Sequence, residues 1–501
     1  MSLAKVNSAA VVGLEAFPVE VEVDISNGLP SFTIVGLPDK AIEESKERVR
    51  SAIRNSGANF PRQRITVNLA PADIKKEGPS YDLAIALGIL IADEQIPPAK
   101  ENILLVGELA LNGRLRRVSG ILPIACELGT KFSEIILPED NAEEAALVKK
   151  LKILPAENFK DVIRFFKKEK NIGYFNKKIK ISPEKVFEYD MAYVKGQEQA
   201  KRALEIATSG GHNVLMTGPP GSGKTLLART IPSILPTLSE EEILEVTKIY
   251  SVAGLLSEKA PLIDTRPFRS PHHTTSNVAL VGGGTYPRPG EITLSHRGVL
   301  FMDEFAEFPR SVLEALRQPL EDGIITVSRA QGSITFPAKF ILIAAQNPCP
   351  CGYLGDPAKS CICTPTQILR YQKRVSGPLL DRIDLHIDVP RVKYEKLTDE
   401  KVAEESSGIR GRVDGARKVQ LKRSKKTNSE LTPKDLKQVC VLDEVSKDLL
   451  RMAVNQLNLS ARQYTRILKI SRTIADLAGE ENISSGHIAE ALQYRPKENA
   501  Y

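Results

Sequence analysis

The chain has 501 residues, of which 42% are hydrophobic and 26% charged, and its formal net charge is +7. Those proportions belong to a folded globular protein long enough for roughly three domains, and they exclude a disordered or collagen-like chain. Six cysteines over this length exclude a disulfide scaffold. No apolar run is long enough to span a membrane and no secretory signal pattern opens the sequence, so a cytoplasmic protein without a membrane partner is expected.

Taken in order, residues 1–166 read as an α/β domain. Val19 to Ile25 alternates with period two and predicts a half-exposed strand. Lys40 to Asn55 predicts an amphipathic helix with Ile42, Val49 and Ile53 on one side. Ile65–Leu69 and Ile103–Val106 predict strands, and Tyr81 to Ala92 an apolar helix. Residues 167–187 are polar and basic and read as a linker. Residues 188–398 read as a second α/β domain, with buried strands predicted at Asn213–Thr217, Val299–Met302 and Phe340–Ala345. Apolar runs of this kind, alternating with helical segments, argue for a parallel sheet covered on both faces. Residues 399–501 read as an all-α lid, with helices at Asp443–Gln456, Ala461–Ala478 and Ser485–Tyr494.

The positive charge is concentrated. Arg164 to Lys185 holds eight basic and two acidic residues, and Arg412 to Lys426 seven basic and one acidic. Outside these runs acidic side chains slightly outnumber basic ones. A local basic excess suits phosphate contacts, and it equally suits solvated linker and loop segments.

The chemistry is concentrated in Gly218, Pro219, Pro220, Gly221, Ser222, Gly223, Lys224 and Thr225, which fit G-x-x-x-x-G-K-[ST]. A strand precedes this run and Leu226–Ile231 reads as the first turns of a helix, the context a phosphate-cradling loop requires. Backbone N–H groups and the helix N-terminus favour bound phosphate. Lys224 would reach the β- and γ-phosphates of ATP, and the Thr225 hydroxyl would ligate Mg²⁺. Asp303 and Glu304 close the apolar run 299–302. Asp303 would complete the Mg²⁺ shell, and Glu304 would deprotonate the attacking water. Asn347, at the end of the next strand, reads either as a contact to that water or to the γ-phosphate, or as a turn residue before Pro348. Arg382 and Arg462 read on spacing alone as surface ion-pair residues, with the alternatives that Arg382 reaches a neighbouring subunit's γ-phosphate and that Arg462, opening a lid helix, reports nucleotide state to the lid.

Longer stretches add a resemblance. Gly36–Asp39, Lys76–Ala84, Arg266–Thr275, Pro289–His296, Asn347–Gly352 and Gly377–Leu385 together resemble the ComM/YifB family, the magnesium-chelatase-like AAA+ competence proteins. The resemblance covers essentially the whole chain. It implies a homohexameric ring with ATP between subunits, Arg382 as arginine finger, Arg462 as second sensor and Asn347 as first sensor. It also implies a DNA-translocating helicase that drives branch migration when transforming DNA recombines. Residues 324–340 then resemble a pore hairpin that carries Arg329 near its tip, and His272 and His273 lie in a second pore element. A pore cation gives sequence-independent contact with phosphates. The N-terminal domain resembles the Lon-protease-like module (the ribosomal S5 domain 2-like fold). Ser80 falls at the protease's nucleophile position, but Leu122 stands where the catalytic lysine belongs. A degenerate protease fold without peptidase activity is expected, since leucine cannot take a proton.

Cys349 and Cys351, with Cys361 and Cys363, form two close pairs. Four thiolates at this spacing suit tetrahedral Zn²⁺, and a loop of reduced cysteines is the alternative. Two rival functions stay open: a magnesium-chelatase motor subunit that remodels a protein partner, and a nucleotide-binding assembly protein with little turnover. DNA-stimulated hydrolysis would argue against the first, and loss of hydrolysis in Glu304→Gln against the second.

Overall fold

The computed structural model describes residues 2–176, 187–257, 259–284, 287–329, 332–392, 396 and 403–496. Two compact units emerge. The first comprises Met1–Ser182 with Glu240–Asp264, the second Pro183–Ser239 with Thr265–Tyr501.

The first unit is built on a seven-stranded mixed sheet. Its centre is a hairpin of Ser2–Val12 and Glu15–Ser26, antiparallel along their whole length. The predicted alternation in Glu15–Ser26 is real: Val19, Val21 and Val23 are buried while their neighbours are partly exposed. The strand Ser2–Val12 was not legible, because its Asn, Ser and Lys residues break the apolar pattern that edge-to-edge pairing then supplies. The helix Lys40–Asn55 forms as predicted, capped by the Asp39 carboxylate accepting from the Ile42 N–H at 2.8 Å. Asp82–Ala92 is buried at every position, which explains its lack of a polar face.

The sequence-based division and these units differ at two places. Residues 171–176, assigned to the linker, are partly packed: Phe175 N–H donates to the Ile153 carbonyl at 2.9 Å and Tyr174 Oη to Glu134 at 2.6 Å. Residues 177–186, the rest of the linker and of the first basic run, lie outside the described residues. The helix Glu240–Ala253, placed by sequence inside the second domain, is held by the first unit. Gly120 N–H donates to the Ser251 carbonyl at 3.1 Å, Ser251 Oγ to Glu144 at 2.5 Å, and Lys248 pairs with Glu127 at 2.8 Å.

The second unit has a five-stranded parallel sheet in the spatial order Phe268–Arg269, Val299–Met302, Ile341–Gln346, Val214–Thr217, Leu385–Asp388. The glycine-rich loop leaves the interior strand Val214–Thr217, which pairs with Ile341–Gln346, and the strand ending at Met302 lies on the far side of Ile341–Gln346. All three predicted buried strands are present within a residue or two. Helices follow at Ser406–Ser424, Glu444–Gln456, Ala461–Ala478 and Ser485–Gln493. Ala461–Ala478 is tied to the sheet by a buried chain of contacts: His212 Nε2 meets Thr473 Oγ1 at 2.8 Å, and His212 Nδ1 meets Asp384 at 3.3 Å.

The second basic run is largely spent within the fold. Arg412 pairs with Glu205 at 2.6 Å, Arg417 donates to the carbonyls of Ser209 and Thr208, and Arg423 pairs with Asp476 at 2.8 Å. It is not the solvated loop that its composition suggested as one alternative, and Lys418, Lys422 and Lys425 remain exposed. Most of it is helix, because its Val, Ala and Gln residues fall on a buried face that brings these arginines against carboxylates. Among the described residues, no helix is long and apolar enough to cross a membrane.

Candidate active site

The phosphate loop is shaped by close contacts that a side chain would block. A Cβ at Gly218 would lie 2.1 Å from the Val389 carbonyl oxygen, and Gly223 holds a left-handed φ of +93° as it opens the helix Lys224–Ile234. That helix starts at Lys224 and runs two residues further back than its apolar pattern indicated.

Lys224 is buried, and its ammonium donates to the Gly218 carbonyl at 2.7 Å, the Pro219 carbonyl at 2.9 Å and Asn347 Oδ1 at 3.3 Å. Burial lowers its pKa, and the Asp303 charge opposes that shift. Thr225 Oγ1 donates to Asp303 Oδ2 at 2.7 Å. A hydroxyl and a carboxylate brought together from a loop and a strand end are hard oxygen donors that fit Mg²⁺. Ser222 Oγ is buried without a hydrogen-bond partner, a polar atom suited to a phosphate oxygen. Gln197 was missed by sequence. Its side chain donates to the Ser222 carbonyl at 3.2 Å and the Pro390 carbonyl at 2.6 Å, fastening the loop from outside.

Glu304 follows Asp303 in a left-handed conformation with φ +53°, and its N–H donates to Asp303 Oδ1 at 2.9 Å. Its carboxylate lies 2.8 Å from His273 Nδ1. His273, read from sequence as a pore residue, thus sits against Glu304, while the adjacent His272 is exposed.

Arg382 meets a carboxylate that sequence reading missed, Glu321. Arg382 pairs with Glu321 and donates to the Pro378 carbonyl at 2.6 Å. Its side chain is only 14% exposed, and its Nε is buried without a partner. Arg382 chiefly, and Arg462 in addition, hold the Glu321 carboxyl below its ordinary range. No sequence signal marks Glu321, because it meets Arg382 only through the fold. The hairpin Ile324–Arg329 with Gly332–Pro337 is present, and Arg329 ends its first strand. The Arg329 side chain lies outside the described residues.

The four cysteines form one cluster. The sulfurs of Cys349, Cys351, Cys361 and Cys363 all lie within 4.8 Å of one another. Cys349 is 3.5 Å from Cys351 and 3.6 Å from Cys361, and Cys351 is 3.6 Å from Cys361. Tetrahedral Zn–S bonds of ~2.3 Å place sulfurs about 3.8 Å apart, so these side chains fit a single Zn²⁺. The Tyr353 backbone N–H helps hold the Cys351 thiol below its ordinary range. The loop reaches the ATP site through Gly352 at φ +83°, where a Cβ would come within 2.5 Å of Pro220 Cδ and 3.6 Å of Asn347 Cγ.

A parallel sheet with a phosphate loop on an interior strand and an Asp-Glu pair on another defines the AAA+ class of P-loop proteins. Comparison with known proteins narrows this. The family described as "Magnesium chelatase, subunit ChlI" matches residues 190–397, "Subunit ChlI of Mg-chelatase" residues 21–141, and "Magnesium chelatase, subunit ChlI C-terminal" residues 403–495. The chain is 45% identical over 504 residues to competence protein ComM of Haemophilus influenzae, covering 99% of this chain and 98% of that protein. It is 45% identical over 498 residues to the protein YifB of Escherichia coli K12, covering 99% and 97%. A weaker likeness links it to the magnesium-chelatase subunit ChlI of Cyanophora paradoxa, 23% identical over 305 residues, covering 56% of this chain and 76% of that one. The chain belongs to the ComM/YifB family of magnesium-chelatase-like AAA+ ATPases.

Proposed function

We propose that this chain is an ATP-driven DNA motor, a homohexameric helicase that promotes branch migration when transforming DNA recombines. The observation that carries the ATP half is the contact of Thr225 with Asp303 beside Lys224, at the carboxyl ends of the two parallel strands that flank Ile341–Gln346. The DNA half is supported by full-length likeness to a protein named for competence.

In this reading Lys224 exchanges its loop carbonyls for β- and γ-phosphate oxygens of ATP. Thr225 and Asp303 would hold Mg²⁺, which neutralises phosphate charge when bound. Glu304 accepts the proton of the attacking water, and Asn347 orients that water or the γ-phosphate. Arg382, released from Glu321, supplies a cation to the site of a neighbouring subunit, with Arg462 beside it. Arg329 and His272 contact DNA. The cysteine cluster would hold Zn²⁺ and fix the loop that follows Asn347.

The test is ATP-dependent strand displacement on branched DNA by the full chain and by Lys224→Ala. Displacement by the native protein alone supports the motor. Hydrolysis without displacement on any branched substrate leaves only an ATPase. A second reading, a motor that remodels a protein partner, is favoured by the chelatase family matches. It predicts hydrolysis that DNA does not stimulate.

A further inference from the structure

The phosphate loop and Arg382 sit at opposite ends of the parallel sheet. The loop follows Thr217, at the carboxyl end of Val214–Thr217, whereas Arg382 precedes the amino end of the parallel neighbour Leu385–Asp388. Val214–Thr217 spans about 13 Å of extended chain between them. Asn213 lies just before that strand begins, so its partners belong to the arginine's end of the sheet.

The Asn213 carboxamide is used on both sides. Its Nδ2 donates to the Arg382 carbonyl at 3.0 Å, and its Oδ1 accepts from the Leu342 N–H at 2.8 Å. Its own N–H donates to Asp384 Oδ2 at 3.2 Å, and its carbonyl accepts from the N–H groups of Asp384 and Leu385 at 3.0 and 2.9 Å. An amide donates and accepts from one planar group; an ionised aspartate only accepts, and alanine does neither. Two buried side chains hold the residues on either side. His212 Nδ1 lies 3.3 Å from Asp384 Oδ2, and Arg466 donates to the Asp381 carbonyl. The Arg382 guanidinium is held differently, by the exposed Glu321 carboxylate and the Pro378 carbonyl, with its buried Nε left unpaired. The backbone of this arginine is therefore its fixed part, and its head the part that can change partner.

We propose that Asn213 is a positioning residue that sets Arg382 for the ATP site of a neighbouring subunit and leaves its own subunit's ATP site untouched. This rests on the reading of Arg382 as a cation supplied across subunits. The charge that develops on the transferred phosphoryl group is stabilised only by a cation in place, and a displacement of about 1 Å is enough to lose much of that effect. One strand thus presents ATP at its carboxyl end and anchors the arginine for the next site at its amino end.

The experiment measures phosphate release at saturating ATP by full-length proteins, alone and in equimolar mixtures. Asn213→Asp keeps the acceptor for Leu342 and removes the donor to Arg382. It is expected to lower kcat about fivefold, the scale of one neutral hydrogen bond, with KM for ATP unchanged. Mixed with Lys224→Ala, whose arginine is intact, it should exceed the average of the two separate proteins about threefold, because half of its phosphate loops then face a native Arg382. Mixed with Arg382→Ala, it should give only that average. A merely structural role would not sort the two mixtures in this way. A defect in its own ATP site gives the reverse pattern, a gain only beside Arg382→Ala, and overturns the proposal. A native rate in Asn213→Asp overturns it as well. Asn213→Ala is read in the same mixtures, so that a new charge beside Asp384 does not decide the result. Loss of binding of a fluorescent ATP analogue by both variants also overturns the proposal, since Asn213 then serves the sheet or its own site. Mixing Lys224→Ala with Arg382→Ala separates the two readings. No gain there removes the shared site and the positioning role with it. A gain there, with the reverse pattern for Asn213→Asp, removes the positioning role alone.

Discussion

The two α/β units each bury a lysine near a strand end, and the comparison separates burial from chemistry. Lys76 in the first unit is fully buried, and burial lowers its pKa against the nearby Asp73 charge. Lys224 in the second is buried and shifted the same way, against Asp303. Their surroundings differ. Lys76 donates to the Pro71 carbonyl. Lys224 lies among carbonyls, an amide and a hydroxyl–carboxylate pair that phosphate and Mg²⁺ can take over. A depressed lysine pKa therefore marks desolvation in both units and a reaction site in only one.

The sharpest way to break this comparison is to remove both ammonium groups. Lys224→Ala is expected to lower ATP turnover at least about a hundredfold, since positioning and charge on the phosphates supply most of phosphoryl-transfer catalysis. Lys76→Met should leave turnover unchanged and move stability by about 1 kcal/mol or less, read from urea unfolding, because an apolar side chain of similar length removes a desolvated charge. A catalytic defect in Lys76→Met would show that the first unit contributes to the chemistry. Arg382→Ala is expected to lose a similar share of turnover. Mixing it with Lys224→Ala should restore part of the activity if the proposed ring forms, because mixed rings would pair an intact phosphate loop with an intact arginine.

A smaller effect concerns the cysteine loop. Removing metal with a strong chelator should release about one zinc per chain and weaken ATP binding several-fold, since Gly352 rests on Pro220. Gly352→Ala should do the same with the metal retained. Equal ATP affinity in both cases would detach the cluster from the nucleotide site.

A further effect distinguishes the units by pH. Burial raises Asp82 in the first unit to about 6, so the folded state binds its proton more tightly and stability rises as pH falls from 6 toward 4. Burial, with Arg466 adding to it, lowers His386 in the second unit to about 4, so stability is lost as pH falls from 6.5 toward 4. Each contributes about 3 kcal/mol at most. Hydrogen exchange at pH 7 and pH 5 should therefore show the second unit loosening first.

What the sequence made legible follows from the physics of each part. Gly218–Thr225, Asp303 and Glu304 were readable because backbone geometry and phosphate chemistry restrict residue type at fixed local spacing. The buried strands 213–217, 299–302 and 340–345 were readable because both their faces are apolar. Partners that meet only through the fold were not. Glu321 reaches Arg382 across 61 positions, and His273 reaches Glu304 across 31. The helix Ser406–Ser424 was obscured by its arginines, whose carboxylate partners lie in other segments.

The path of residues 240–264 carries a practical consequence. The chain leaves the second unit one turn after the phosphate-loop helix, contributes Ile243, Val246, Ile249 and Tyr250 to burial with the first unit, and returns at Thr265. No single cut can therefore liberate an intact ATPase module. A fragment beginning at residue 183 would carry a stranded apolar helix, a ready nucleus for self-association. Expression of that fragment should yield aggregates unless the first unit is supplied as a separate chain, and recovery of solubility on co-expression would measure how strongly the two pieces find each other.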